Sequence, residues 1–356
     1  MLDIVEIMRL LISLLAVTFC CDASESKVLK DRFTVMTYNV QNLFDTKHDR
    51  GKDDYTYLPK EQKQTKAHKR RCKKIKVPKW RKECLYWDWS MDVLNQKLER
   101  LTGVLKQINR GLGPDIVILQ EVENLSVLNH WKDHFLGEMN YQEAILIEGS
   151  DVRGIDVAML SKFRSINKPT LHSIPFKDLP SGETSNTRGI LNSRFILKDK
   201  SSVNVFGVHF PAAYHPRKMR IQALSFLNTL LKEADKTSFE VAAGDFNITA
   251  KENKSSKMLE TYIEPLWNIA HYLCEGCQGT NYYASEKSWS FLDMILLSRA
   301  SKVNGWQIDP MSVRVIKNAP GQKTENGFPN AFTPSNRKGV SDHFPLVVDF
   351  IKLSSS

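Results

Sequence analysis

Seven short apolar segments recur along this chain, and each is bounded by residues typical of turns. They are roughly four to eight residues long and rich in β-branched or aromatic side chains, which favours strands over helices. A chain with this many short strands must assemble them into sheets and cover the sheets with further layers. The segments lie at residues 33–40, 115–122, 155–161, 203–210, 239–246, 291–298 and from 344 onward.

Between some of these segments the apolar residues follow a helical period. Residues 93–108 carry leucines at 94, 98, 101 and 105, and the stretch closes on Asn-Arg-Gly. Residues 217–234 form a second stretch of the same kind. The mixture of strands and helices predicts an α/β sandwich whose sheets are covered by helices.

Composition and charge narrow the class of protein. The chain has 356 residues, of which 42% are apolar and 25% charged, so a sizeable core can form. No internal repeat and no Pro- or Gly-rich linker divides it. The formal net charge of +10 indicates an anionic partner, either a polyphosphate such as nucleic acid or an acidic membrane surface.

The N-terminus has the pattern of a secretory signal. A basic start, an apolar run from Leu10 to Cys21 and a small residue at Ala23 predict a signal peptide over 1–23 and a single domain over 24–356. An uncleaved anchor is the alternative, although the run is short for a membrane span. No other apolar run is long enough to cross a bilayer. We therefore expect a secreted or periplasmic protein without a transmembrane segment in the mature chain.

Removal of the signal leaves four cysteines, Cys72, Cys84, Cys274 and Cys277. An even number in an exported chain predicts two disulfides, for which three connectivities are possible. We favour local pairing, Cys72 with Cys84 and Cys274 with Cys277. The Cys-Glu-Gly-Cys motif could instead be a redox dithiol or half of a zinc site, but no second such motif completes either pattern.

One segment differs from the rest in composition. Residues 60–82 contain twelve Lys or Arg and one Glu, which is too polar for a core. We predict a surface loop, within an insertion at about 47–90, that its two cysteines tie down. Either its lysines, among them Lys73, Lys74 and Lys76, contact backbone phosphates, or they form a solvated face.

Aromatic residues lie in and directly after this basic segment. Trp80 lies inside it, and Tyr86, Trp87 and Trp89 follow it. They have two readings: they stack on nucleic-acid bases, or they belong to the core at the start of the next helix.

Polar residues stand where five of the apolar segments end or begin. Burying an unpaired charge is costly, so an acid at such a place serves as a cap, a salt bridge or part of a site. One such strand end is usually a cap or a solvated edge, but five are hard to explain in that way. The residues are Asn39, Glu121, His209, Asp245, Asn247, Asp342 and His343.

The types of these residues indicate a reaction. Carboxylates and carboxamides suit a hard cation such as Mg²⁺, and imidazoles supply an acid or base near neutral pH. Asp245 and Asn247 are two apart, so in extended backbone they project in the same direction. Zinc is less suitable, because no His-rich spacing is present. Together with a basic surface, this set indicates hydrolysis of phosphate esters.

Seven motifs in order resemble those of the endonuclease/exonuclease/phosphatase superfamily. The resemblance covers about residues 33–350 and implies a four-layer α/β sandwich, with two packed mixed sheets flanked by helices. The site would lie at one edge of the two sheets. The motifs are NVQNLFD (39–45), LQEVEN (119–124), RGIDVAMLS (153–161), GVHFPA (207–212), GDFN (244–247), SFLDMILLS (290–298) and SDHFPL (341–346).

The resemblance also implies catalytic roles. Asp245 and Asn247 would orient the attacking water and hold the scissile phosphate. His343 would act as general base or acid, and Asp293 would orient its ring. His209 matches a second histidine of the deoxyribonuclease and sphingomyelinase branches.

Metal and phosphate contacts follow from the same comparison. Asn39, Glu121 and Asp342 would lie at the metal, which we expect to be Mg²⁺, with Mn²⁺ or Ca²⁺ as alternatives. Arg153 and Arg188 are candidate phosphate clamps by their chemistry and rough position. The insertion departs from the family pattern and affects the expected size of the substrate.

The leading hypothesis is an exported, monomeric, metal-dependent endonuclease of low sequence specificity that cleaves DNA or RNA and has no stable protein partner. Asn247-Ile-Thr matches an N-glycosylation acceptor. A glycan there would block the proposed site, so we expect the chain to mature unglycosylated, which favours bacterial export. A sphingomyelinase or another lipid or inositol phosphoesterase is the alternative chemistry. A non-catalytic binding module that kept the fold is the alternative class.

Overall fold

Fifteen strands and six α-helices are seen in the computed structural model, which describes residues 29–235, 237–300 and 305–353. The predicted signal peptide, 1–23, lies outside the described residues. The helices are α1 Lys66–Lys73, α2 Pro78–Tyr86, α3 Met91–Leu105, α4 Leu125–Phe135, α5 Arg217–Glu233 and α6 Ala250–Ser256. The strands are β1 Leu29–Leu43, β2 Ile116–Val122, β3 Glu143–Leu146, β4 Asp156–Ser161, β5 Thr170–His172, β6 Ile190–Ile196, β7 Ser202–His209, β8 Phe239–Asp245, β9 Trp267–Ile269, β10 Asn281–Tyr283, β11 Ser288–Ser290, β12 Asp293–Ser298, β13 Trp306–Ile308, β14 Arg314–Val315 and β15 Leu346–Leu353.

Two mixed sheets form the centre of the fold. The first has the order β13-β15-β1-β2-β4-β3, with β14 added beside β15, and the second has the order β5-β6-β7-β8-β12-β9. Each contains one parallel pair, β1 with β2 and β7 with β8, among antiparallel neighbours. The short hairpin β10-β11 stands apart from both.

Side-chain alternation along the strands divides the core into three layers. On β1, Phe33 and Val35 lie in the cluster between the two sheets, whereas Met36 and Tyr38 lie in the cluster under α3 and α4. A third cluster joins the second sheet to α5. Because apolar contacts lie on both faces of both sheets, the four-layer α/β sandwich is confirmed.

The predicted helices coincide with α3 and α5. Leu94, Leu98 and Leu101 of α3 are fully buried against the first sheet. Leu224 and Leu227 of α5 are buried against the second. Burial of each such side chain contributes about 1.5–3 kcal/mol, so the helical stripes hold the outer layers in place.

The basic segment forms helices, which corrects the prediction of a loop. The helices α1 and α2 make a hairpin closed by the Cys72–Cys84 disulfide. Lys and Arg have high helix propensity, and Pro78 occupies the first position of α2, where proline is well tolerated. Cys274 pairs with Cys277, so both predicted disulfides are present.

The described residues contain no helix that is long and apolar enough to span a bilayer.

Candidate active site

Strand pairing brings the polar strand ends together at one edge of the sandwich. Asp245, the last residue of β8, is aligned with His209 of β7 on one side and with Asp293 of β12 on the other. All three are buried. The alternation that places Val241 and Ala243 between the sheets also points Asp245 toward the opening of that layer.

An imidazole and a carboxylate form a buried pair in this opening. His343 Nδ1 lies 2.7 Å from Asp293 Oδ2. Burial alone would lower the pKa of His343, but the carboxylate of Asp293 outweighs it, and the pKa lies well above its usual value. The backbone N–H of His343 donates to Ser341 Oγ, which in turn donates to the carbonyl of Asn39 and so links β1 to the entry of β15.

Asp245 is held by groups from three segments. Its Oδ2 accepts from Asn39 Nδ2 at 3.2 Å and lies 3.8 Å from His209 Nε2, and its Oδ1 accepts the backbone N–H of Asn247 at 2.8 Å. Burial and the nearby Asp293 carboxylate raise the pKa of Asp245. Asn247 has φ of 53°, a left-handed conformation that asparagine tolerates better than most residues.

His209 is a neutral imidazole in this surrounding. Its burial and the cationic groups of Arg188 and Arg153 put its pKa well below the usual value. Its Nδ1 is buried without a protein partner. The carbonyl of Phe210 accepts from both Asn247 and Arg188, which fixes the neighbouring side chains.

Glu121 reaches the site because β2 is irregular at that point. It has φ of 67° where the pairing register of β2 shifts, and its Oε2 accepts the backbone N–H of Asn42 at 2.9 Å. Asp342 lies at the exposed mouth. Its carboxylate lies close enough to His343 and Glu121 for their charges to act on it.

The two predicted arginine clamps are placed differently. Arg153 is half-exposed, donates to Asn42 Oδ1 at 2.8 Å and lies 3.9 Å from Glu121 Oε2, so its guanidinium borders the mouth. Arg188 is buried and ion-paired with Asp151 at 2.6 Å. Because the guanidinium of Arg188 is buried and already paired, it supports the structure around His209 and is poorly placed to contact a substrate.

The predicted lysine contacts lie on the hairpin, away from the buried cluster. Lys73, Lys74 and Lys76 are exposed at the end of α1 and in the turn that follows. The hairpin packs beside Tyr57, whose ring stacks on Phe44 at 4.0 Å.

The aromatic residues of this region divide between surface and core. Trp80 and Tyr86 are 58% and 68% exposed. Trp89 is buried and donates from its indole to the carbonyl of Phe44, so it cannot stack on a base. For Trp89 the core reading is correct.

Two residues next to the site escaped sequence reasoning. Lys97 of α3 is buried, and burial lowers its pKa to about 7 although the charges of Asp342 and Glu121 oppose the shift. The sequence feature that could have identified Lys97 is its position on the apolar face of a helix, between Leu94 and Leu98. Tyr57 lies close enough for the charges of Arg153 and Glu121 to act on its phenol, but nothing in its sequence context marks it.

The donors present fit a divalent cation. Ligand atoms of Asp245, Asp293 and His343 lie within 4.8 Å of one another, and Asp293 Oδ1 is buried without a partner. Glu121 and Asp342 add carboxylates, and Asn39 Oδ1, which accepts one backbone N–H, retains a second lone pair. Carboxylate and amide oxygens are the ligands that hard cations prefer.

Comparisons with known proteins identify the class to which this fold and site belong. The profile of the Endonuclease/Exonuclease/phosphatase family matches residues 83–352. The chain therefore belongs to this family, whose members hydrolyse phosphate esters and generally depend on a divalent metal. No curated protein matches the sequence significantly.

Solved structures agree in fold at low sequence identity. A family protein from Bacteroides thetaiotaomicron matches with a TM-score of 0.55 and 17% identity, over 90% of this chain and 98% of that one. D. rerio TDP2, complexed with a single-strand DNA product, gives 0.56 and 15%, over 90% and 99%. A mannosyl-6-phosphatase from Bacteroides thetaiotaomicron gives 0.54 and 16%, over 89% and 99%.

Proposed function

We propose that this chain is an exported, Mg²⁺-dependent phosphodiesterase that cleaves nucleic acid with low sequence specificity. Its catalytic domain would span residues 24–356 and act as a monomer. The observation that carries the proposal is the convergence of the His343–Asp293 pair with Asp245, Glu121 and Asp342 at one opening between the sheets.

Each group has a chemical task in phosphodiester hydrolysis. Asp245, held by Asn39 and the backbone of Asn247, takes the proton of the attacking water. The water oxygen bonds to phosphorus, the ester P–O bond breaks, and the leaving oxygen takes a proton from protonated His343. Asp293 orients the ring of His343 for this proton transfer.

Substrate and cation contacts would come from the rim. Arg153 is the exposed guanidinium at the mouth and suits a phosphate oxygen. Glu121 and Asp342, with Asn39 beside them, would hold the cation. A bound Mg²⁺ offsets the negative charge of the phosphate.

The surface supports a polymeric anion as substrate. The hairpin α1-α2 presents Lys73, Lys74 and Lys76 to solvent, together with the exposed ring of Trp80. Lysines interleaved with exposed aromatics suit a nucleic-acid strand, because phosphates bind the cations and bases stack on the rings. TDP2, which shares the fold, was solved with single-strand DNA.

Export is supported by the disulfides. Cys72–Cys84 and Cys274–Cys277 form stably in an oxidising compartment. N-terminal sequencing of the protein recovered from a secreting host should show a start at Ser24. If residues 1–23 were still present in the recovered protein, export with removal of a signal peptide would be contradicted.

A substrate panel tests the proposal. Mature protein is incubated with plasmid DNA, RNA and sphingomyelin liposomes, each with Mg²⁺ or EDTA, beside the His343→Ala variant. We expect Mg²⁺-dependent cleavage of nucleic acid that the variant lacks. Cleavage of sphingomyelin alone would assign the chain to the lipid branch, and no hydrolysis of any ester would favour a binding module.

A further inference from the structure

A pocket of about 530 Å³ opens beside the catalytic site, and its volume lies in the range of pockets that bind small ligands. The loop that leads into α5, the helix α6 and the hairpin β10-β11 enclose it. We call this space, which Tyr214, Glu252 and Tyr283 line, the side pocket. Asn247 also lines it and donates its backbone N–H to Asp245, so the side pocket lies next to the group that we expect to activate water.

Strand alternation gives the hairpin β10-β11 one packed face and one pocket face. On the packed face, the ring centroid of Tyr282 lies 3.7 Å from that of Phe328 and 5.3 Å from that of Trp289. The next residue, Tyr283, is paired with Ser288 of β11, and both line the side pocket. Because its ring does not take part in the packed face, Tyr283 is 59% exposed.

Hydrogen bonds fix the hairpin to the catalytic segments. Asn281 Nδ2 donates to the carbonyl oxygen of Asp342 at 3.1 Å. The hydroxyl of Thr280 accepts the backbone N–H of Asp293 at 3.1 Å, and the Thr280 carbonyl accepts that of Phe344 at 2.7 Å. These bonds set the position of the side pocket relative to the scissile phosphate.

The charges that line the side pocket balance one another. Arg217 Nε lies 3.3 Å from Glu252 Oε1, and Lys251 Nζ lies 2.7 Å from Glu286 Oε1. Among the described residues that line the pocket, no other is charged. Because each cation already has an acid as its partner, the pocket suits an uncharged part of the substrate better than a phosphate.

The uncharged lining has the chemistry that a nucleoside needs. Tyr214 is 80% exposed, so the rings of Tyr214 and Tyr283 are both accessible to a planar base. Aromatic rings stack on bases of any sequence, which agrees with low sequence specificity. The hydroxyl of Ser288 and the amide of Asn281 are hydrogen-bonding groups for the sugar and for the edge of the base.

We infer that the side pocket binds one unpaired nucleoside next to the scissile phosphate, so that the chain cleaves single-stranded nucleic acid in preference to duplex. The inference rests on the proposed function and specifies the form of its substrate. A base enclosed between α6 and the hairpin cannot remain paired in a duplex, and withdrawing it from its partner is costly. A single strand supplies the unpaired base without that cost.

Cleavage of one oligonucleotide, as a single strand and as a blunt duplex, tests the preference. With Mg²⁺, the kcat/KM of the wild type should be about tenfold or more higher for the single strand. The double variant Tyr214→Ala/Tyr283→Ala should raise KM for the single strand about tenfold and reduce the preference, because stacking is lost while phosphate contacts remain. The effect should fall on KM rather than on kcat.

Two controls accompany this variant. Tyr214→Phe/Tyr283→Phe keeps both rings and should behave as the wild type does. Tyr272→Ala, at an exposed tyrosine outside the pocket, should do the same. Equal kcat/KM of the wild type for the two substrates, or an unchanged KM in the double alanine variant, would overturn the inference and leave the proposed function intact.

A binding measurement separates the inference from the proposed function. A thymidine trinucleotide with 2-aminopurine at its central position is titrated with protein in EDTA, and its fluorescence falls when the base stacks on a ring. We expect quenching by the wild type and by the double phenylalanine variant, and about tenfold weaker binding by the double alanine variant. Quenching by a wild type that cleaves no nucleic acid in Mg²⁺ would support the nucleoside pocket and remove the proposed function. Absence of quenching by the wild type would overturn the inference.

Discussion

At the scale of single residues, the pair His343–Asp293 is central. Both side chains are buried, yet they remain at the opening where Asp245 and Asn39 also lie. A carboxylate that fixes an imidazole in one orientation is useful in catalysis because it keeps the reacting nitrogen aligned with the substrate.

His343→Ala should therefore lower kcat by about 10²- to 10⁴-fold, the usual contribution of a positioned proton-transfer group. Tm should fall as well, because His343→Ala leaves the buried Asp293 carboxylate without its imidazole partner, so kcat is measured well below the Tm of the variant. Plasmid cleavage and thermal unfolding measure the two effects. His134→Ala, at an exposed histidine of α4, is the matched control. Unchanged kcat in His343→Ala would remove this residue from the reaction.

His271 provides a pH test that is separate from the site. It is buried against Phe291 with ring centroids 4.4 Å apart, and burial lowers its pKa to about 3. Below about pH 6.5 the unfolded chain binds a proton that the native state excludes, so the free energy of unfolding falls as pH drops. The loss continues until pH approaches the native pKa.

His271→Phe should remove this dependence. Between pH 7 and pH 5, the wild type should lose about 2 kcal/mol more stability than the variant, since one pKa unit corresponds to about 1.4 kcal/mol. Urea unfolding at the two pH values measures the difference. Equal losses in both proteins would show that His271 does not exclude the proton.

At the scale of elements, the hairpin α1-α2 distinguishes this chain. Its disulfide and the contact of Arg71 with the ring of Tyr55, 4.0 Å from guanidinium carbon to ring centroid, hold it on the insertion. Its exposed lysines face solvent without ion pairs among the described residues, except Lys79, which lies 4.0 Å from Glu83. We attribute substrate attraction to this element.

Neutralising Lys73, Lys74 and Lys76 together should raise KM and flatten its salt dependence, because each phosphate contact releases a counterion. The kcat should stay near that of the wild type, since the hairpin is outside the buried cluster. Steady-state cleavage at several salt concentrations measures both, with a triple glutamine variant of Lys168, Lys198 and Lys200 as control. A salt slope identical to the wild type would show that the hairpin does not touch substrate.

Element prediction succeeded where apolar content was high. The segments 203–210 and 239–246 became β7 and β8 within one residue at each end, because burial on both faces leaves a continuous apolar signal. Three-residue strands such as β5 and β9 were missed, since they exist only through pairing with a neighbour. The hairpin was missed because its helices bury little apolar surface.

At the scale of the whole molecule, the two sheets bring distant segments to one edge. The identity of Asp245 and His343 as candidate site residues could be read from polar residues at strand ends. How Glu121 reaches the site could not be predicted from the sequence, because its position depends on a register shift of β2 and on a positive φ. Lys97 was missed because its neighbour Asp342 is remote in sequence.

One measurement tests the assembled site most directly, namely the rate of plasmid DNA cleavage. It compares the wild type with Asp245→Asn, each with Mg²⁺ and with EDTA. Asp245 is the group on which strands β1, β7, β8 and β12 converge. We predict cleavage only by the wild type with Mg²⁺, and a loss of about 10²-fold or more in the variant at unchanged Tm. Equal cleavage by both proteins, or cleavage that persists in EDTA, would contradict a metal-dependent phosphodiesterase at this edge.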